Sequence, residues 1–227
     1  LDNVQLLRQV SIFKELPQET VADLARRVWR KEAEASSVIV NQEETGDALF
    51  VIARGKVKVV LYGDTGREII LSILRAGDFF GEMALLDRQP RSANVVAVES
   101  SELLCLDREG FQTHLTGHPS TALAILAEMS RRLRHADEVI GNLALLDVYA
   151  RVARTIRDLA QKQGQPVDGG LLIKERPTQQ EIAGLIGTSR ETVSRALSDF
   201  ARRGLLELSG KQILVRWGFL RKMEDAA

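Results

Sequence analysis

The chain has 227 residues, 44% hydrophobic and 27% charged, which is room for one large or two ordinary domains. Its 31 Lys and Arg balance 31 Asp and Glu, so the chain as a whole lacks the basic excess of a nucleic-acid-coating protein. The single Cys105 excludes a disulfide framework and a four-cysteine iron–sulfur site. With no run of about 18 apolar residues, no membrane-spanning helix is expected. The opening Leu1-Asp2-Asn3 has neither an initiator Met nor the layout of a signal peptide. A few leading residues are therefore expected to be missing, and a cytoplasmic address is expected. The charge is uneven: from Asp147 onward 14 basic residues face 10 acidic ones, and the preceding part carries 17 against 21. A slightly basic C-terminal part suits DNA binding at one end only.

In chain order, the stretch to about Ala35 has helical periodicity in Val21, Leu24, Ala25 and Val28. From Ser36 to about Leu106, short β-rich runs are punctuated by Gly46, Gly55, Gly63, Gly66 and Gly77. Evenly spaced short strands with turn signals predict an all-β roll or barrel.

Within that region the run FGEMALLDRQPRSA, Phe80 to Ala93, carries the chemistry of an anion site. Gly81 permits close backbone approach, and Glu82 to Leu86 can form a short helix whose N–H groups face an anion. Arg91 offers a charged fork to phosphate oxygens, and Ser92 adds a hydroxyl and an N–H. Glu82 would repel phosphate, but it suits a ribose hydroxyl donating to it. A cyclic phosphate with a free 2′-hydroxyl needs both features close together. The plain alternative is a turn at Gly81 and an Arg91–Glu82 ion pair in an empty site.

After Pro119, the residues Leu126, Met129, Leu133, Ala136, Ile140 and Leu143 alternate spacings of three and four. This is a heptad seam, with Arg131, Arg132, Arg134, Asp137 and Glu138 off it, and it predicts a parallel two-helix dimer contact. A core helix packed on its own domain is the alternative. Gly141 costs such a helix about 1 kcal/mol relative to Ala and marks a flexible point or a close approach.

From Asp147 the pattern reads helix, short hairpin, helix, turn, helix, hairpin. Thr178 to Glu181 is a capping box, Gly187 makes the turn, and Thr188 or Ser189 starts the next helix. The runs 206–208 and 213–215 about Ser209-Gly210 read as a wing. Together these make a winged helix-turn-helix. At about 100° per residue, Val193, Ala196, Leu197 and Phe200 share one side of the second helix. Arg190, Glu191, Ser194 and Arg195 share the other. Arginine can donate two parallel bonds to guanine, and glutamate can accept from cytosine. Glu191–Arg195 as a surface ion pair, or Thr188–Glu191 as a capping box, are the plain alternatives.

The segment EIAGLIGTSRETVSRAL, residues 181–197, is very similar to the helix-turn-helix of the cyclic-AMP receptor protein and fumarate-nitrate regulator family. GNLALLDVYARVA, from Gly141, resembles the family's hinge and first C-terminal helix, and Phe80 to Ala93 resembles its phosphate-binding cassette. The resemblance covers nearly the whole chain. It implies an α+β protein with a cyclic-nucleotide-binding, jelly-roll-like β-roll (1–118), a dimerisation helix and hinge (119–146) and a winged helix-turn-helix (147–227). It implies base readout by Arg190, Glu191 and Arg195 on a palindrome with TGTGA-like half-sites, beside Ser194. Thr178, Thr188 and Ser189 match positions that hold DNA phosphates. Gly81 and Glu82 fall at ribose positions; Arg91, Ser92 and Ala93 fall at phosphate positions, with Met83 and Ala84 in the same cassette. Where the family places a Thr-Ser pair on adenine, this chain has Ala136 and Asp137. A carboxylate there accepts from the adenine amino group or from two guanine donors. Cyclic AMP is thus the expected effector, with cyclic GMP or cyclic di-GMP as alternatives, and no metal is expected. Double-stranded DNA, a second copy of the chain and RNA polymerase are the expected partners, and no membrane; Gly164–Gly170 is the loop implied for polymerase.

A DNA binder with a vestigial cassette is the second reading. An enzyme subunit is the third, and it fails because about 80 residues after the sensor lack nucleophile–base or phosphate-loop motifs. His114 and His118 are expected at the surface or as caps, Cys105 as a buried thiol, and Trp29 and Trp217 in packing. His135 is a further candidate near the ligand.

Overall fold

A computed structural model describes residues 1–64 and 66–224. The chain forms two compact units: the first takes the residues up to Arg134 except Glu68–Ile70, and the second takes Glu68–Ile70 and the residues from His135 onward, so that the strand Glu68–Arg75 and the helix Pro119–Leu145 each contribute to both. The first unit opens with α1 (Asn3–Arg8) and α2 (Gln18–Arg27). Its strands are β1 (Trp29–Ala33), β2 (Val38–Val40), β3 (Ala48–Arg54), β4 (Lys56–Tyr62), β5 (Glu68–Arg75) and β6 (Phe79–Phe80). After the short helix α3 (Glu82–Asp87) come β7 (Asn94–Ala97) and β8 (Ser101–Asp107). Then follow α4 (Arg108–Gly117) and α5 (Pro119–Leu145), the latter opening on a proline whose missing N–H costs a helix nothing at that position.

The strands build two four-stranded sheets, ordered β1-β8-β3-β6 and β2-β7-β4-β5. β3 is apolar at nearly every position because both of its faces are covered. Phe50 and Ile52, with Leu103 and Cys105 of β8, join Val57, Val95 and Ala97 in one core. Leu49 and Val51, with Leu104 and Leu106, join Phe13 of the turn between α1 and α2 and the helix residues Leu24, Phe111 and Ile125 in another. Burial pushes the Cys105 thiol up to about 11, and the residue is an inert core member as expected.

Three sequence expectations fail in this unit. The helical stretch stops at Arg27: Val28 is already extended (φ −84°, ψ 144°), and Trp29–Ala33 pairs antiparallel with β8 from Trp29↔Cys105 to Ala33↔Ser101. Trp29 itself is exposed rather than packed. His114 is buried, its Nε2 lying 3.0 Å from Thr121 Oγ1 and its ring edge-on to Phe13. His118 is the C-cap residue of α4.

Along α5 the seam leucines and isoleucine are open: Leu126, Leu133, Ile140 and Leu143 are 47–65% exposed, while Met129 packs partly against the helix-side core. None of these four open side chains belongs to the core of either unit.

The second unit contains α6 (Val148–Gln163), β9 (Gln165–Val167), β10 (Gly170–Ile173), α7 (Gln179–Ile186), α8 (Arg190–Arg202), β11 (Leu206–Ser209) and β12 (Gln212–Arg216). Segment 164–170 is thus partly strand, pairing β9 with β10. The sheet runs β11-β12-β10-β9. Val152, Ile156, Ile182, Val193, Leu197, Ile213 and Val215 form the core. A helix not expected from the sequence, α9 (Trp217–Glu224), closes the unit. Its Phe219 stacks edge-on to Phe200 at 5.6 Å, while Trp217 stays exposed. No described helix is long and apolar enough to cross a membrane.

Candidate nucleotide and DNA sites

The cassette turns at Gly81, whose φ of 88° lies in the left-handed region. A Cβ there would stand 2.5 Å from Arg91 Nη1 and 2.9 Å from the Ala48 carbonyl, so glycine is required on two counts. Arg91 is only 7% exposed. It donates from Nη1 to Gly81 O and from Nη2 to Ala48 O, both at 2.8 Å, and its guanidinium lies 5.6 Å from the centre of the Phe50 ring. Its backbone exchanges two bonds with the opposing segment, to Glu44 O and from the Glu43 N–H, each 2.9 Å. Burial lowers the Arg91 pKa.

Glu82 opens α3 and is 2% exposed. Its Oε1 accepts from Arg132 Nη1 at 3.0 Å, while Oε2 is buried without a hydrogen-bond partner. Burial raises its pKa, and the Arg132 charge pulls it back. The expected alternative of an Arg91–Glu82 ion pair is therefore not what forms; Arg132 takes that place. Arg132 also donates to Phe79 O at 2.8 Å, covers the Phe79 ring at 4.7 Å and bonds Glu128. The sequence gives it only as a charge off the heptad seam.

Of the remaining cassette residues, Ala84 and Ala93 are buried, and Met83 and Ser92 are exposed, with Ser92 Oγ 3.8 Å from Met83 Sδ. Among the described residues the Arg91 guanidinium has its carbonyl partners but no counter-ion bonded to it, and the buried Glu82 Oε2 has no donor, an arrangement that is costly unless a ligand supplies what is missing. An anion carrying a nearby hydroxyl supplies both. Ala136 and Asp137 lie exposed on α5, and His135 sits 3.8 Å from Glu138. Among the described residues no group of three or more His, Cys, Asp or Glu could hold a metal ion.

In the second unit, Thr178 caps α7 reciprocally: Thr178 Oγ1 accepts from the Glu181 N–H at 3.1 Å, and Glu181 accepts from the Thr178 N–H at 2.7 Å. Gly187 ends the helix at φ 64°, a conformation that suits glycine. The Thr188 N–H still belongs to α7, donating to Ala183 O at 2.9 Å. Ser189 therefore caps α8, accepting from the Thr192 N–H at 3.2 Å, and the Thr188–Glu191 capping box does not form.

Val193, Ala196, Leu197 and Phe200 are buried; Arg190, Glu191 and Arg195 are exposed, and Ser194 is half-buried. Arg195 bonds Thr192 Oγ1 at 3.2 Å rather than Glu191. Glu191's own N–H, with the Ser189 hydroxyl, holds its carboxyl below the usual range, so it is an acceptor at neutral pH. Thr178 and Ser189 are exposed and Thr188 half-buried. A groove beside this face is lined by Tyr149, Ser194, Arg195, Ser198, Asp199 and Arg202; of these the sequence reading singles out Ser194 and Arg195.

Comparison with known proteins assigns each half of the chain to a domain family. Residues 30–118 match the cyclic nucleotide-binding domain, and residues 150–223 match the Crp-like helix-turn-helix domain. A CRP-like cAMP-activated global transcriptional regulator of Mycobacterium tuberculosis is 33% identical over 93% of this chain and 94% of its own length. The cAMP-activated global transcriptional regulator of Escherichia coli O6:H1 is 37% identical over 80% of this chain and 86% of its own. Among solved structures, the c-di-GMP-responsive global regulator CLP of Xanthomonas campestris superimposes with a TM-score of 0.76 at 26% identity, covering 88% of this chain and 99% of that one.

Proposed function

The chain belongs to the cyclic-AMP receptor protein and fumarate-nitrate regulator family of transcription regulators, and from that premise we propose that it acts as a homodimer whose DNA reading is switched by cyclic AMP. Its relatives are regulators carrying a DNA-binding helix-turn-helix, not enzymes, and this chain is a regulator of the same kind. The observation that carries the proposal is the buried Arg91 guanidinium beside a Glu82 oxygen with no partner. In our reading Arg91, Ser92 and Ala93 hold the cyclic phosphate, Gly81 and Glu82 hold the ribose, and Met83 and Ala84 complete the wall. Ala136 and Asp137 stand at the base positions. Two relatives named as cAMP-activated favour adenine; the Asp137 carboxylate and the c-di-GMP-responsive relative make cyclic GMP and cyclic di-GMP the alternatives to test.

We assign 1–118 to the sensor, 119–146 to the dimerisation helix and hinge, and 147–227 to DNA. The open row of Leu126, Leu133, Ile140 and Leu143 supports a second copy of the chain as the partner of α5. Nucleotide shifts the equilibrium between two states by its differential affinity for them. In the favoured state both α8 helices enter successive major grooves of a palindrome with TGTGA-like half-sites. Arg190, Glu191 and Arg195 read bases, with Ser194 beside them; Thr178, Thr188 and Ser189 hold phosphates. RNA polymerase is the further partner, and the cytoplasm the place of action.

The test crosses two variants. Arg91→Ala should lose the calorimetric signal with cyclic AMP and its effect on DNA binding, yet stay folded. Arg190→Ala should weaken specific DNA binding by about 1–3 kcal/mol while cyclic AMP affinity is unchanged. An Arg91→Ala protein that still responds to nucleotide defeats the proposal.

A further inference from the structure

Arg108 opens α4, directly after the Asp107 cap, and none of the roles above uses it. Its side chain reaches three backbone carbonyls. One terminal nitrogen donates to Gly46 O at 2.6 Å and Ala84 O at 3.2 Å, and the other to Leu85 O at 3.3 Å. Its backbone N–H donates to Asp47 O at 2.9 Å. Ala84 and Leu85 lie in the last turn of α3, where carbonyls have no partner within the helix. A cation there also complements the negative helix end. Gly46 belongs to the opposing segment, and the two segments touch: a Cβ on Gly46 would lie 2.5 Å from Ala84 Cβ and 2.7 Å from Arg91 Nε. Arg91 lies along this seam, bonded to Gly81 at the start of α3 and to Ala48 just past Gly46.

We propose that Arg108 is a positioning residue for the nucleotide site: it fixes the spacing between the Gly46–Ala48 segment and α3, and through that spacing the place of the Arg91 guanidinium. This rests on the reading of Arg91 as the phosphate ligand. A planar guanidinium, with several donors in a rigid fork, can hold carbonyls from two segments at once. Lysine keeps the charge at the helix end but not the fork.

The test is calorimetric titration of the full chain with cyclic AMP. The proteins are wild type, Arg108→Met and Arg108→Lys, each also in an Arg91→Lys background. Arg108→Met is expected to weaken binding about tenfold or more, and Arg108→Lys to recover part of that loss. In the Arg91→Lys background the same step should shrink below about twofold, because the group being positioned has changed. A purely structural role would keep the full factor in both backgrounds. Wild-type affinity in Arg108→Met, or an undiminished factor beside Arg91→Lys, overturns the inference. If Arg108→Met does not fold, Arg108→Lys carries the same comparison. A wild type that binds none of cyclic AMP, cyclic GMP or cyclic di-GMP removes the nucleotide reading and this inference with it. A wild type that binds while both variants bind equally well removes this inference alone.

Discussion

The Glu82 carboxylate and the Arg132 guanidinium meet at 3.0 Å across 50 residues of chain, and the buried acid of the cassette is thereby neutralised from the long helix. Truncating Arg132 leaves that carboxylate without its counter-charge and the Phe79 carbonyl without its donor. Arg132→Ala should cost about 1–3 kcal/mol in urea unfolding at pH 7, since a buried charged group then lacks its partner. Adding Glu82→Gln should return part of the loss. Equal stability of Arg132→Ala and wild type would show that the ion pair contributes nothing.

His114 should make the protein acid-sensitive. Burial, with the His118 and Arg27 charges, holds it from 6.5 down to about 4. Between those values the unfolded chain binds a proton that the folded chain refuses. The contribution is complete above pH 6.5 and is lost as pH falls toward 4, by up to about 3 kcal/mol. Urea unfolding at several pH values should show the His114→Gln variant closing on wild type as the medium is acidified. A difference independent of pH would contradict this.

Gly81→Ala should disable the cassette. The left-handed backbone at φ 88° costs a side chain about 1–2 kcal/mol, and the added methyl meets Arg91 and the Ala48 carbonyl. We expect a lower melting temperature and at least about a tenfold weaker cyclic AMP affinity, read by calorimetry. Unchanged affinity would mean that Arg91 is free to move without consequence.

Leu133→Glu places a charge in the open row of α5, where the native side chain is 65% exposed. Sedimentation should show a dimeric wild type and a monomeric variant of similar melting temperature. A monomeric wild type refutes the seam.

Both the polar face of α8 and the Thr178 cap are legible in the sequence because each depends on residues within a few positions of one another. The cassette is legible for the same reason, with Gly81 to Arg91 in one short run. Arg132 is not, since its partner Glu82 is 50 residues away and nothing local separates it from a solvated helix charge. Strand β1 is hidden because Trp29–Ala33 is an edge with four exposed positions, so its side chains show no alternation. The sequence leaves the start of α8 open between Thr188 and Ser189 because both carry hydroxyls. What decides between them is the Thr188 N–H, already engaged by Ala183 in the preceding helix.

The sequestered Cys105, protonated throughout the neutral range, has a practical value. Maleimide reagents need a solvent-reachable thiolate, so the native protein should resist alkylation while folded. A cysteine introduced at Ser198 or Leu133 would then be its sole reactive handle, and one fluorophore per chain could follow α8 or the open row of α5 without first removing the natural thiol.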